Sequence, residues 1–392
     1  MVRKFSYIII LLLILSYPAT GQKNLNFQSV DTLSYNYYTK GDWENLIYLG
    51  NLAVKEGIDY KYLRQRIGYA YFIYGDYIRS VRNFERALQY DSYDPYTLGY
   101  LYYSNLDLLR VETAGYYSSR MTPDQRKAYQ IKPTKIVESI DLELSTKITS
   151  TSLRSNPNYF RFGLNSRPLQ RLSLYQSVSV YNQQGTIQNP AQQFPFHIRQ
   201  FGYYGLIRYA LFSHWNIKAA YHFIYSDFSS SITYSNLGYA VLSANFDILS
   251  LSIDASAIHN GEYITKQGGL KAGLTIPGNK NLSFTGGISV LNQQDTSRLI
   301  YSGSVGISLN KKIHMIADIT YGYQNYYNDF DAMYVYNSID PSIFRTGLTT
   351  YFLTKNRITI WINIGFERKE YFENNNYNYN QISLSGGVQW RF

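Results

Sequence analysis

Five histidines, His197, His214, His222, His259 and His314, are the side chains of this sequence that could act as general bases or metal ligands near neutral pH. By two-residue alternation His222 and His314 fall on the same polar faces as Asp254 and Asp318, so a Ser-His-Asp grouping can be drawn with neighbouring serines. No local nucleophile motif accompanies it, and in so serine-rich a wall such groupings arise by chance. No two histidines share a metal-ligand spacing on one face, no glycine-rich phosphate loop occurs, and paired carboxylates are missing from the loop tips. Asp329 and Asp331, within Tyr327-Asn328-Asp329-Phe330-Asp331, have the alternate spacing of calcium ligands but read as an acidic, solvated loop. The sequence contains no cysteine, which excludes disulfides, thiolate metal sites and cysteine nucleophiles. The expectation is a non-enzymatic protein with no catalytic, metal or cofactor-binding residues.

The inward charges say more as a set. Asp141, Glu143, Lys147, Arg161, Arg208, Lys218, Asp254, Lys271, Asp318, Arg345 and Glu367 all fall on polar faces. Of these, Arg161, Arg208, Lys218, Asp254, Asp318, Arg345 and Glu367, with Trp361, are the expected lining of a lumen. Both signs occur, and in a low-dielectric interior they must pair across it. Such a network closes a lumen as easily as it lines a pore. Small inward residues, among them Gly273, Ser302, Gly306 and Gly387, argue for open space on one wall, while Tyr175, Tyr181, Tyr204, Tyr351 and Trp361 offer rings on which sugars can stack.

The elements that would position these residues are strands. The chain has 392 residues, a net charge of +10, 17% aromatic and only 16% charged residues, with 43 tyrosines; its mean hydropathy of −0.29 excludes a bundle of membrane helices. From Ile140 onward, segments of about ten residues alternate between apolar and polar. Ile382, Leu384, Val388, Trp390 and Phe392 oppose Gln381, Ser383, Ser385, Gly387, Gln389 and Arg391; Ile358 to Phe366 repeats the pattern. Short links at Arg167-Pro168, Ser213-His214, Asn245–Asp247, Gly278–Asn281, Asn310–Lys312 and Thr354–Arg357 alternate with longer ones near 151–158, 184–197, 226–233, 259–268, 292–298, 327–342 and 369–378. Short turns on one side and long loops on the other mark an outer-membrane barrel, here of about fourteen strands; one hairpin more or fewer would make it sixteen or twelve. The short links carry an excess of Lys and Arg, which suits either a phosphate-facing rim or plain turn chemistry. The terminal Gln389-Trp390-Arg391-Phe392 resembles the last-strand signal that bacterial outer-membrane barrels present to their insertion machinery, and the resemblance implies that Trp390 and Phe392 carry it.

Ahead of the strands stands a different period. Arg3 and Lys4 precede an apolar run from Phe5 to Leu15, then Pro18 and Ala19-Thr20-Gly21, so residues 1–21 read as a signal peptide with Gln22 as mature N-terminus. Tyr37, Gly41, Asp42, Trp43 and Ala53 recur as Tyr71, Gly75, Asp76, Tyr77 and Ala87, displaced by 34 residues. This period, with Ile67-Gly68, Phe84 and Ala87-Leu88, resembles the tetratricopeptide repeat; Ser80 and Ser92 depart from its usual Ala and Pro. A further helix from Pro95 to about Arg110 is expected to cap the array, and residues 111–135, with Thr122-Pro123-Asp124 opening a short helix, read as a connector. The resemblance implies a concave partner-binding surface, for which Tyr62, Arg66, Tyr69 and Arg79 are candidates beside Tyr60 and Arg64. Nine Lys/Arg against ten Asp/Glu leave this region near neutral, which excludes nucleic acid as its partner.

The sequence thus predicts a multidomain α plus transmembrane β chain: signal peptide 1–21, tetratricopeptide-like helical domain 22–110, connector 111–135 and barrel 136–392. The architecture resembles the YaiO-like outer-membrane proteins of diderm (Gram-negative) bacteria, with the helical domain in the periplasm. The resemblance implies an outer-membrane scaffold or component of an envelope assembly or secretion complex, whose repeats bind a periplasmic or outer-membrane protein. The alternative is a transport pore for exopolysaccharide or small solutes. Its expected surroundings are outer-membrane lipid and the barrel-insertion machinery.

Overall fold

Alternation at every second residue builds β1 (Lys135–Thr149), β2 (Asn158–Leu169), β3 (Leu172–Asn189), β4 (Gln192–Ala210), β5 (Trp215–Phe228), β6 (Ser231–Phe246), β7 (Leu249–His259), β8 (Ile264–Thr275), β9 (Ser283–Gln293), β10 (Thr296–Asn310), β11 (Ile313–Gln324), two short strands β12 (Tyr327–Asp329) and β13 (Tyr334–Tyr336), then β14 (Ser342–Leu353), β15 (Ile358–Tyr371) and β16 (Asn374–Arg391). This computed structural model describes residues 25–392 apart from Pro190, Ala191, Ser230, Asn279, Lys311, Lys355, Asn356 and Glu373. The expected signal segment, and the turn residues Lys311 and Lys355, lie outside the described residues. Fourteen strands form one closed antiparallel barrel, and β12 and β13 pair only with each other. Closure is made by β1 on β16, from Ser139 opposite Arg391 to Thr149 opposite Gln381.

The register turns the usual distribution of residues inside out. On β1, Leu144 is 64% exposed while its neighbour Glu143 is 4% exposed. Every barrel strand repeats this, with Phe160, Val180, Ile217, Leu270, Ile319 and Ile362 outward. An apolar belt of this extent is costly in water and favourable in hydrocarbon, while the closed ladder leaves the barrel no unpaired edge.

Two details of the links depart from expectation. Pro168 lies inside β2, beside a register shift between Ser166 and Leu169, and the reversal falls at Gln170-Arg171; a bulge tolerates a residue with no N–H to donate. At the opposite end, much of what reads as long loop is strand. β3 and β4 stay paired through Gln183–Ile198 and Ile187–Phe194, and β15 and β16 through Glu370–Asn378. Polar residues on both faces hide these extensions, because strands rising above the lipid need no apolar face. Among the described residues, connections outside the barrel ladder remain at 150–157, 260–263 and 325–341, the last carrying β12 and β13.

Among the described residues seven helices precede the barrel: α1 (Phe27–Lys40), α2 (Trp43–Lys55), α3 (Lys61–Ile73), α4 (Tyr77–Leu88), α5 (Pro95–Asp107), α6 (Val111–Ser119) and α7 (Pro123–Ala128). The first six form three antiparallel pairs with one turn design. Gly41, Gly75 and Leu109, 34 residues apart, each adopt a left-handed conformation with φ of 70°, 75° and 60°. The following N–H, of Asp42, Asp76 or Arg110, donates back to the carbonyl of Tyr37, Tyr71 or Asn105. Asp42 and Asp76 also cap the next helix through their side chains; Arg110 does not. The third pair is therefore written without Gly or Asp, which is why residues 111–119 read as connector. In fact α6 places Ala114 and Tyr117 in one core with Phe84, Leu98 and Leu101. Thr122 caps α7 in a capping box with Gln125, as its sequence predicts.

Leu109 is 65% exposed and pays the steric cost of a left-handed residue for no packing return. Leu109→Gly is expected to stabilise the helical region by about 1 kcal/mol, read as a higher midpoint of the helical far-ultraviolet transition.

Candidate functional site

Inside the barrel, register alone assembles the first ion pairs. Glu143 stands opposite Arg161 on the neighbouring strand, and the Arg161 guanidinium reaches Glu143 Oε2 at 2.7 Å and Asp141 Oδ1 at 3.0 Å. Across the closure, Lys147 Nζ donates to Glu367 Oε2 at 2.5 Å, and Ser342 Oγ donates to the same carboxylate. Asp141, Glu143, Arg161, Ser342 and Glu367 are buried and Lys147 is half-buried, so the pairing offsets a desolvation cost that an unpaired charge could not meet.

The segment 325–341, expected to be a solvated acidic loop, folds into the lumen. Three consecutive left-handed residues, Phe330, Asp331 and Ala332, turn it back on itself between β12 and β13. The tip then meets a complementary wall. Lys218 Nζ donates to Asp331 Oδ2 at 2.8 Å and Arg345 Nη2 to Asp329 Oδ2 at 3.2 Å. Tyr204 donates to the Asp331 carbonyl at 2.7 Å, and His222 Nδ1 lies 2.9 Å from the Ala332 carbonyl. Asn328 and Gln267 exchange hydrogen bonds of 3.0–3.1 Å. Tyr334 donates to Glu143 at 2.7 Å, and the Arg345 guanidinium lies 3.7 Å from the Tyr336 ring centre. The two aspartates thus bind separate cations, and among the described residues no group of three or more His, Asp and Glu is placed to hold a metal.

The remaining lumenal residues divide. Trp361 stands opposite Gly387 and fills the space above it, so that glycine, read as open wall, seats an indole. Asp318 lies opposite Gly347, and Asp254 is buried with Oδ2 unbonded among the described residues. Arg208 Nε lies 3.9 Å from Glu112 Oε1 of α6. His314 Nδ1 contacts Ser308 Oγ at 3.1 Å, while His222 is committed to the hairpin backbone; neither hydrogen-bonds Asp254 or Asp318.

Two closures that the sequence does not signal hold the ends. At the long-loop end Arg154, buried in the first loop, grips Asp340 at 2.7 Å and 3.2 Å. Tyr379 and the Phe372 N–H donate to the same carboxylate, and the guanidinium lies between the rings of Phe196 and Tyr371. Arg154 and Asp340 both sit in loops without periodicity, so no pattern links them beforehand. At the short-turn end the helical region docks on four consecutive turns. Ser118 donates to Gln170 at 2.9 Å, His214 lies 3.6 Å from Glu85, Arg110 donates to the Asp247 carbonyl at 2.7 Å while Arg82 pairs with the Asp247 carboxylate, and Asn281 donates to the Asp107 carbonyl at 3.2 Å. A side chain at Gly115 would collide with the Gln170 carbonyl, so only glycine lets α6 approach this closely.

The candidate partner residues of the helices are placed unequally. Tyr62 is exposed. Arg66 binds Asp31 Oδ1 and Ser34 Oγ, both at 2.7 Å; burial raises the Asp31 pKa, but hydrogen bonds from Arg66 and Tyr60 outweigh it and hold the carboxyl below its usual range. Tyr69 packs edge-on to Tyr38, Trp43 and Tyr100, and Arg79 pairs with Asp76 at 3.0 Å over the Tyr71 ring. Trp390 and Phe392 stack together on the lipid face, their ring centres 5.5 Å apart.

A closed fourteen-stranded barrel with an apolar exterior and a polar, paired interior is an outer-membrane β-barrel, the class that houses membrane channels and pores. No family model matches the chain, and no curated protein matches it. Similar solved structures include a bacterial polysaccharide outer membrane secretin, at 9% identity and a TM-score of 0.43, covering 66% of this chain and 100% of that one. The toluene transporter TodX of Pseudomonas putida aligns at 7% identity and a TM-score of 0.44, covering 73% and 92%. Omp33 of Acinetobacter baumannii aligns at 9% and 0.36, covering 66% and 100%. Likeness this distant carries no functional inference; the class rests on the barrel's own geometry.

Replacing residues 327–336 with a Gly-Ser linker is expected to raise single-channel conductance in planar bilayers several-fold over the parent. Unchanged conductance would show that the hairpin does not obstruct the lumen.

Proposed function

We propose that this chain is a non-enzymatic outer-membrane scaffold: a barrel that anchors a tetratricopeptide-type domain at its periplasmic mouth, where the domain binds a partner protein of an envelope assembly or secretion complex. In this reading residues 1–21 are a signal peptide, residues 22–110 with α6 form the partner-binding helical domain, the rest of 111–135 joins it to the barrel, and residues 136–392 are the barrel. The observation that carries it is the docking itself. Three helix pairs with one turn design are fixed to four consecutive turns, while the lumen behind them is occupied by the chain's own hairpin. An open conduit needs neither feature; a fixed platform uses both. Tyr35, Tyr48 and Tyr62 stay exposed on helices of the first two pairs, and aromatic side chains of this kind supply contact area at low entropic cost.

A second reading, a pore for exopolysaccharide or small solutes, is favoured by one observation: the lumen beside the hairpin keeps a cavity of about 480 Å³ lined by Tyr181, Tyr351 and Trp361.

The test is affinity purification of the full-length protein from native membranes, beside a Tyr35→Ala, Tyr62→Ala double variant. The scaffold reading expects a stoichiometric partner whose yield falls at least tenfold with the variant. An unaccompanied barrel in both preparations would overturn it.

A further inference from the structure

The hairpin does not fill the lumen evenly. Its backbone is held on β4, β5 and β8, through Tyr204, His222 and Gln267, while its side chains reach β1 and β14 through Tyr334 and Asp329; the cavity lies beside it, lined by residues of β1–β5, β11 and β14–β16 and by the hairpin's own Tyr334 and Tyr336. Its outer boundary includes Ser338 and Asp340 of the long loop, so the cavity occupies the long-loop half of the barrel.

Three observations fix the chemistry this space would accept. First, the cations on its walls already hold carboxylates: Lys147 pairs with Glu367, Arg161 with Glu143 and Asp141, Arg345 with Asp329 and Arg154 with Asp340. An anionic ligand would have to break one of these pairs. Second, two polar atoms on the walls lack any hydrogen-bond partner among the described residues, Arg345 Nη1, a donor, and Gln381 Oε1, an acceptor, on side chains only 8% and 2% exposed. A hydrocarbon would leave both unsatisfied, and an unpaired buried donor or acceptor is destabilising. Arg345, Glu367 and Gln381 occupy one rung across β14, β15 and β16, so the residues that carry the free donor and acceptor stand two strand spacings apart along the wall, about 10 Å between backbones. Third, the opposite rung pairs Tyr351 with Trp361, six residues from Glu367 along β15 or about 20 Å, and Tyr181 and Tyr159 add rings along the way.

Aromatic faces, a free donor and a free acceptor along an elongated, charge-compensated cavity define a ligand with apolar ring faces and hydroxyls that both donate and accept. We propose that the lumen binds a neutral oligosaccharide between the Tyr351–Trp361 rung and the Arg345–Gln381 rung, its ring stacked on Trp361 and its hydroxyls accepting from Arg345 Nη1 and donating to Gln381 Oε1. The site belongs to the barrel alone and does not depend on partner binding by the helices, so the two can fail separately.

The experiment is isothermal titration of the full-length protein in detergent with maltotetraose, cellotetraose, mannotetraose and chitotetraose, beside tetragalacturonate and toluene. At least one neutral tetrasaccharide is expected to bind saturably with a sub-millimolar Kd. Trp361→Leu and Gln381→Leu should each weaken it tenfold or more, whereas Tyr62→Ala should not. Heat-modifiable migration on gels reports that each variant is a folded barrel, and Gln381→Leu decides if Trp361→Leu does not assemble. Failure of all four neutral sugars to bind, tighter binding of tetragalacturonate or toluene, or affinity untouched in both lumenal variants would each overturn the proposal.

Discussion

Everything in this protein depends on a seam. In hydrocarbon no water is available to satisfy a backbone amide, so a sheet survives there only if its first and last strands meet. Here β1 and β16 meet over eleven consecutive residue pairs, from Ser139–Arg391 to Thr149–Gln381. Closure fixes which face of every strand looks at lipid, and that in turn drives the polar residues to a common interior. The lumenal ion pairs are products of the seam rather than its cause: Lys147 and Glu367 meet only because the two ends of the sheet do.

An interior built this way carries a surplus of charge that must be compensated within a confined space. The chain compensates part of it within the wall, as with Glu143 and Arg161, and part with its own loop. Asp329 and Asp331 supply the carboxylates that Arg345 and Lys218 would otherwise lack. The same logic acts at the long-loop end, where Asp340 takes up Arg154, and at the short-turn end, where Glu112 approaches Arg208. In the lumen and at the short-turn end a charge from outside the sheet completes one inside it, and at the long-loop end two loop charges complete each other, so the loops and the helices are electrostatic parts of the barrel.

How much of this is legible in the sequence follows from what is periodic. The strands are, because lipid and lumen impose a strict two-residue alternation; Leu144 outward and Glu143 inward can be read from order alone. The first two helix pairs are, because Gly41-Asp42 and Gly75-Asp76 mark their turns. The third pair is not, because Leu109-Arg110 makes the same turn with residues that do not advertise it. Trp361 is legible as inward, but its seat on Gly387 needs the neighbouring strand. The hairpin and the Arg154–Asp340 clamp are invisible beforehand, since they join segments far apart in the chain with no repeating pattern between them. The candidate surface residues show the same limit: Arg66, Tyr69 and Arg79 look free in a helical repeat, yet the neighbouring helix or turn has already claimed each of them.

The route of the hairpin through space has a consequence for assembly. Both of its ends leave from the same rim, one from β11 and the other toward β14, and neither passes through the barrel to the far side. It is a flap, not a thread. The sheet can therefore zip shut in the membrane with the lumen still full of water, and the flap can drop in afterwards, exchanging that water for the wall's ready-made hydrogen bonds. Because the hairpin's strands pair only with each other, no backbone ladder of the barrel depends on them: what fills the lumen and what closes the wall are separate parts of the same chain.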